Sequence, residues 1–118
     1  MTSLNEHALK IFDYCLSSTA DGQTTQTVVD AIEYTAIAIG RHAYRLDMRR
    51  EEILAWIKLY YKPVFVLPGL PAPFAMPEVY WRILAAWRLQ KEIMEGDKSL
   101  GEAFPEYERL RSRFTHTS

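Results

Sequence analysis

Prolines are distributed very unevenly along this chain of 118 residues. Five of the six lie between Pro63 and Pro77, and the residues among them are uncharged and mainly apolar. Because proline lacks a backbone N–H and fixes φ, this spacing excludes both a helix interior and a central β-strand. We therefore expect an apolar, irregular connection over 63–77. Its apolar residues must be covered, either by the core or by an interface with another chain.

Helical periodicity accounts for the chain before this connection. Ser3 and Glu6 have the spacing of a capping box, which predicts a first helix over 4–19. A second helix is predicted over 27–46, because apolar residues recur there at spacings of three and four. The residues of this helix predicted to face the core are Val28, Ile32, Ala36, Ile39, Ala43 and Leu46.

Two further long helices are predicted to flank the connection. Asp47 is placed to cap a third helix that Pro63 ends, and Pro77 fits the first turn of a fourth helix that ends near Gly96. A short basic helix is predicted over 105–114. The predicted core residues of the third and fourth helices are Ile53, Trp56, Ile57 and Tyr60, then Val79, Ile83, Ala86, Trp87, Ile93 and Met94.

These elements predict an all-α fold: one domain over 1–118, built as a compact bundle of four main helices plus a short C-terminal helix. Residues 115–118 are expected to form a frayed tail. A hydrophobic content of 48% with a net charge of −1 excludes a disordered chain. No apolar run is long enough to span a membrane, the first residues do not resemble a signal peptide, and Cys15 has no cysteine partner. A cytoplasmic location is expected.

Residues of the kinds that support catalysis are few and scattered. His7, His42 and His116 lie far apart in the sequence and have no cysteine pair near them, so no zinc site is predicted. Glu51 and Glu52 are adjacent on a helix and therefore diverge, and the five glycines form no phosphate-binding loop. We expect neither an enzyme nor a bound metal or cofactor.

Four arginines lie within 41–50, around the junction of the second and third helices. They make a small helical DNA-binding module the alternative function. Against it, Asp47 and two glutamates interrupt the positive field, and 14 Lys+Arg are balanced by 15 Asp+Glu, which disfavours nucleic acid as a ligand. Arg109, Arg111 and Arg113 alternate with Leu110 and Ser112 in the last helix and are expected to form a solvated face, with Glu106 and Glu108 matching their charge.

Several apolar residues fall outside the predicted core faces. Ile37 and Tyr44 share the outer side of the second helix with Glu33 and Arg41, and Trp81 lies on the outer side of the fourth. An apolar strip rimmed by charge is typical of a protein interface, but a second helix buried on both sides gives the same pattern. Trp81 is expected to be covered by the proline-rich connection or by another chain. The predicted partner-binding residues are Ile37, Tyr44, Arg41, Glu33, Phe65, Leu70, Phe74 and Trp81.

Gln90 interrupts the apolar stripe of the fourth helix. A buried amide needs hydrogen-bond partners. A loop carbonyl near Leu67 or Leu70 would supply them, and so would a twofold seam between two copies of the chain.

Three features occur together in this chain: the helix over 27–46 with Ala-Ile-Glu-Tyr-Thr-Ala-Ile-Ala-Ile at 31–39, the apolar proline-rich connection, and the helix that carries Trp81 and Trp87. In these features the whole chain resembles the QslA-type anti-activators of quorum sensing. The resemblance implies an all-helical, cytoplasmic, non-enzymatic regulator. It would bind the ligand-binding domain of a LuxR-type transcriptional regulator and block its dimerisation and DNA binding. A homodimer is also implied.

Overall fold

The computed structural model describes residues 3–17 and 24–115, which form six α-helices. Within these two ranges no strand occurs, so the predicted all-α fold is confirmed. The C-terminal region has two short helices where one was predicted. Residues 18–19 of the predicted first helix and 116–118 of the predicted tail lie outside the described residues. The helices are α1 (Leu4–Ser17), α2 (Thr25–Arg45), α3 (Arg50–Phe65), α4 (Met76–Met94), α5 (Leu100–Ala103) and α6 (Tyr107–Thr115).

Helix α2 lies at the centre of the bundle, in contact with α1, α4 and α6. Five of its six predicted core residues are buried, and Leu46, at its C-terminal end, is partly buried. Along α4, Val79, Ile83 and Ala86 are buried as predicted. Met94 is 64% exposed, so its predicted core position is wrong.

Helices α2 and α4 come into close backbone contact at Gly40. A Cβ atom added to Gly40 would lie against the carbonyl oxygen of Ile83, 2.6 Å from Cβ of Ala86 and 2.8 Å from N of Trp87. Two of these three atoms belong to the backbone of α4 and cannot rotate away. Only glycine therefore allows the two helices to pack at this distance.

The junction of α2 and α3 differs from the prediction that Asp47 caps α3. Asp47 has a φ of 58°, and it ends α2 instead. Its N–H donates to the carbonyl of Tyr44 and that of Met48 donates to the carbonyl of Ala43, each at 3.0 Å, which is the hydrogen-bond pattern of a Schellman motif. Aspartate is one of the few residues that tolerate this left-handed conformation. The N-cap of α3 is Arg49.

Pro63 does not end α3, contrary to the prediction. The helix continues through it to Phe65, and the N–H of Val66 donates to the carbonyl of Lys62 at 3.1 Å. Val64 and Phe65 are buried in the core. Their burial offsets the hydrogen bond that proline cannot form in this last turn.

The connection between α3 and α4 covers 66–75 and is only partly packed. Leu67 and Phe74 lie against the core, and the hydroxyl of Tyr61 donates to the carbonyl of Phe74 at 2.7 Å. Gly69, with a φ of 81°, provides a turn in the exposed part. The connection thus contributes to the core at its ends and leaves Val66 exposed.

Helix α6 is held on α2 by a buried carboxylate. Asp30 is 1% exposed and accepts from Nη1 of Arg113 at 2.9 Å and from Nη1 of Arg109 at 3.4 Å. Arg113 also donates to the hydroxyl of Thr27. Arg109 and Arg111 are exposed, as the predicted solvated face requires. Arg113 is partly buried against Asp30 and Thr27, so the prediction is wrong for this residue.

Candidate protein-binding surface

One side of α4 faces away from the core. Trp81, Ala85 and Arg88 are all exposed, and their spacings of four and three residues place them along one line of the helix. Trp81 is 56% exposed, whereas Trp56 is buried and Trp87 is partly buried. Neither the proline-rich connection nor any other described segment buries the Trp81 ring.

A cavity of about 360 Å³ opens beside Trp81, and we call it the Trp81 hollow. Leu84 is buried beneath it, and the short side chain of Ala85 leaves it open. The indole N–H of Trp87 donates to the carbonyl of Met48 at 3.1 Å, which fixes the position of that ring. The residues that line the hollow are Arg50, Trp81, Leu84, Ala85, Trp87 and Arg88.

The charge in the Trp81 hollow is positive and is not neutralised within the described chain. The guanidinium carbon of Arg50 lies 5.7 Å from the centre of the Trp81 ring, in a cation–π arrangement. Across 3–17 and 24–115, neither Arg50 nor Arg88 forms an ion pair. Arginines that do pair with a carboxylate are Arg82, Arg109, Arg111 and Arg113.

A second groove, of about 330 Å³, lies on the other side of Ala85, and here charges of both signs meet. Glu33 pairs with Arg82 at 3.8 Å. Burial raises the pKa of the Glu33 carboxyl, and the negative charge of Glu106 adds to the effect. The apolar residues lining this groove include Ile37, Ala86, Leu89 and Phe104.

Of the residues predicted to bind a partner on α2, Ile37 and Tyr44 are partly buried. Ile37 packs against the core, so helix α2 is covered on both sides at that position. Arg41 is also engaged inside the molecule. Its Nε donates to Oε1 of Gln90 at 2.8 Å, and its guanidinium lies 5.7 Å from the ring centre of Tyr107. The buried amide of Gln90 therefore has its partner on α2, and this contact differs from both predictions, a loop carbonyl near Leu67 or Leu70 and a twofold seam.

The other residues predicted to bind a partner lie in different parts of the structure. Phe65 is buried in the core, 5.6 Å from Phe12 between ring centres, and so does not belong to the exposed surface. Phe74 is partly buried, with the guanidinium of Arg82 3.9 Å from its ring centre. Leu70 is partly exposed on the connection. Glu33 and Ile37 share the second groove, and Trp81 lies in the hollow.

Sequence reasoning did not select Arg50, Arg88 or Ala85 for the surface. The signal for two of them was present, because Ala85 and Arg88 follow Trp81 at helical spacings on the outer side of α4. No sequence signal places Arg50 beside Trp81, since the two residues are on different helices.

Other reactive groups in the described chain do not form a site. Cys15 is buried, as predicted, and burial raises the pKa of its thiol to about 12, so it is a protonated core residue at neutral pH. The described residues contain no group of three or more His, Cys, Asp or Glu side chains placed to hold a metal ion. None of the described helices is long and apolar enough to cross a membrane.

Comparison of the chain with family models, curated proteins and solved structures gave no match.

Proposed function

We propose that this protein is a non-enzymatic regulator that acts by binding another protein through the outer face of α4. The observation that carries the proposal is the exposed Trp81 ring at the edge of a hollow with two arginines. Tryptophan and arginine are the residue types most enriched among those that dominate binding energy in interfaces. A partner that covers Trp81 gains the free energy of burying a large apolar surface.

The proposed partner is the ligand-binding domain of a LuxR-type transcriptional regulator in the cytoplasm. Support for this class comes from the resemblance of the sequence to QslA-type anti-activators, which includes the helix that bears Trp81. Occupation of the regulator's dimerisation surface then blocks its dimerisation and its binding to DNA. This action needs no cofactor. The complex must only be more stable than the regulator's own dimer, by about 1.4 kcal/mol for each tenfold preference at equal concentrations.

The test is co-elution of the purified chain with purified LuxR-type ligand-binding domains on size-exclusion chromatography with light scattering, at micromolar concentration. We expect a complex with one of them and a matching loss of that regulator's DNA retardation. Trp81→Ala should weaken the complex at least about tenfold, as for other central tryptophans in interfaces. If the chain forms a complex with none of the LuxR-type regulators of the host, the proposal is overturned.

Leu59→Ala is the matched control, because Leu59 is 69% exposed but lies on α3, outside the hollow. This variant should bind the regulator as the wild type does. Equal weakening by Leu59→Ala and Trp81→Ala would indicate that the outer face of α4 is not the binding surface.

DNA binding through residues 41–50 has less support in the structure. The side chain of Arg41 is engaged with Gln90 and Tyr107, and Glu51 and Glu52 are exposed at the start of α3. Salt-dependent retardation of DNA by the chain alone, lost on combined Arg45→Ala and Arg49→Ala substitution, would favour this alternative over the proposed function.

A further inference from the structure

The Trp81 hollow combines an apolar floor with two cationic walls from different helices. Leu84 and Trp87 line the apolar part, while Arg50 comes from the first turn of α3 and Arg88 from the middle of α4. Both guanidinium groups project from helices that pack against each other. The packing of α3 on α4 therefore brings the two arginines to one site.

We propose that the hollow is a docking site for an acidic protein segment, with one apolar side chain entering the hollow and neighbouring carboxylates paired with Arg50 and Arg88. This inference rests on the proposed function, because it specifies the chemistry of the partner at the same surface. A guanidinium group binds a carboxylate through two parallel N–H···O hydrogen bonds. Since neither arginine is paired within the described chain, no internal ion pair must break when such a segment binds.

Charge around the hollow favours a short acidic segment over a nucleic acid. Glu78 is exposed on α4, three residues before Trp81 and therefore on the same side of that helix. The adjoining cavity along α4 is lined by Glu92, Glu95 and Asp97 as well as lysines. A phosphate backbone carries a negative charge every few ångströms and would meet these carboxylates. A short segment with one or two carboxylates placed at Arg50 and Arg88 would avoid this repulsion.

The first experiment needs no identified partner. The chain over 1–118, labelled with ¹⁵N, is titrated with a blocked Asp-Leu-Glu peptide, a blocked Lys-Leu-Lys peptide and a short DNA duplex. We expect the acidic peptide to shift the Trp81 indole N–H resonance, assigned with Trp81→Phe, and the basic peptide to leave it unchanged. Arg88→Glu combined with Arg50→Glu should abolish that shift. A larger shift with DNA, or equal shifts with both peptides, would overturn the inference.

The second experiment uses the complex with the regulator and separates this inference from the proposed function. Arg50→Gln and Arg88→Gln should each raise the Kd about tenfold and lower its dependence on salt. Arg111→Gln is the control, since Arg111 lies on α6 and is exposed. If both hollow variants bind as the wild type does while Trp81→Ala does not, the acidic segment is wrong and the proposed function stands.

Discussion

The two sides of α4 use similar residue types for opposite purposes. On the inner side, Gln90 accepts from Arg41 and the indole N–H of Trp87 donates to a backbone carbonyl. On the outer side, the Trp81 ring is 56% exposed and Arg88 has no ion pair within the described residues. The inner polar groups are thus satisfied within the chain, whereas the outer ones are available to a partner.

This difference shows that residue type alone does not separate a tryptophan fixed inside the fold from one left exposed on the surface. Trp81 and Trp87 lie on the same helix, six residues apart, and both line the hollow. One is fixed by a hydrogen bond to Met48, while the other is approached by the side chain of Arg50. Neighbours from α3 and from the segment before it decide between the two roles.

Disruption of the contact between α2 and the inner side of α4 should cause the largest loss of stability. Gly40→Ala disrupts this contact with a single methyl group. The added methyl group meets the backbone of α4 at Ile83 and Trp87. We expect a loss of about 1–3 kcal/mol in the free energy of unfolding, measured by urea denaturation followed by circular dichroism.

Gly101→Ala is the matched control for this prediction, because a Cβ atom at Gly101 meets nothing within 4 Å. It should leave stability unchanged or raise it slightly, through the higher helix propensity of alanine. Equal stabilities of the two variants would show that α2 and α4 can separate at Gly40 without cost.

Gln90→Leu tests the hydrogen bond between Arg41 and Gln90 and should cause the next largest loss of stability. The substitution leaves Nε of Arg41 without its acceptor at 2.8 Å, with an expected loss of about 1–2 kcal/mol in urea denaturation. Adding Arg41→Met removes both partners and should restore part of the loss. A double variant no more stable than Gln90→Leu alone would contradict this account.

Glu33 of α2 lines the second groove together with Arg82 of α4. Its contribution to the free energy of unfolding depends on pH. Burial and the charge of Glu106 raise the pKa of its carboxyl in the folded protein, so the folded state binds this proton more tightly than the unfolded state. The contribution of Glu33 to stability is therefore favourable at low pH and is lost as pH rises above the ordinary range of a glutamate. Glu33→Gln should gain stability relative to the wild type between about pH 4 and about pH 7.

Thermal unfolding of both proteins across this pH range measures the difference. If Glu33→Gln instead loses relative stability as pH rises, the ion pair with Arg82 at 3.8 Å outweighs the effect of burial.

Substitutions on the outer side should have the smallest effect on stability. Arg88→Gln removes an exposed side chain and should change the free energy of unfolding by less than about 0.5 kcal/mol. Trp81→Ala also removes the covered part of the ring, which contacts Tyr80, and should cost about 1 kcal/mol. The same urea series measures this. A loss of several kcal/mol in either variant would mean that the outer side supports the fold, and the contrast between the two sides would fail.

The helical periodicity of the sequence predicted the four long helices and most of their buried residues. It failed at Asp47 and Pro63, where a Schellman motif and the burial of Val64 and Phe65 prevailed over local propensity. For the candidate surface it identified Trp81 but also included Phe65, which is a core residue. A periodic pattern gives the direction of a side chain from its own helix and does not show what lies opposite.

The sequence by itself determined an all-helical chain with an irregular apolar connection, because periodicity, caps and prolines act over a few neighbouring residues. Only the tertiary structure decided which charged side chains form ion pairs with each other and which do not. Asp30 pairs with Arg109 and Arg113 from α6, whereas Arg50 and Arg88 line the Trp81 hollow and pair with no carboxylate of the described residues. Such pairings join residues distant in sequence, and they depend on how the helices pack.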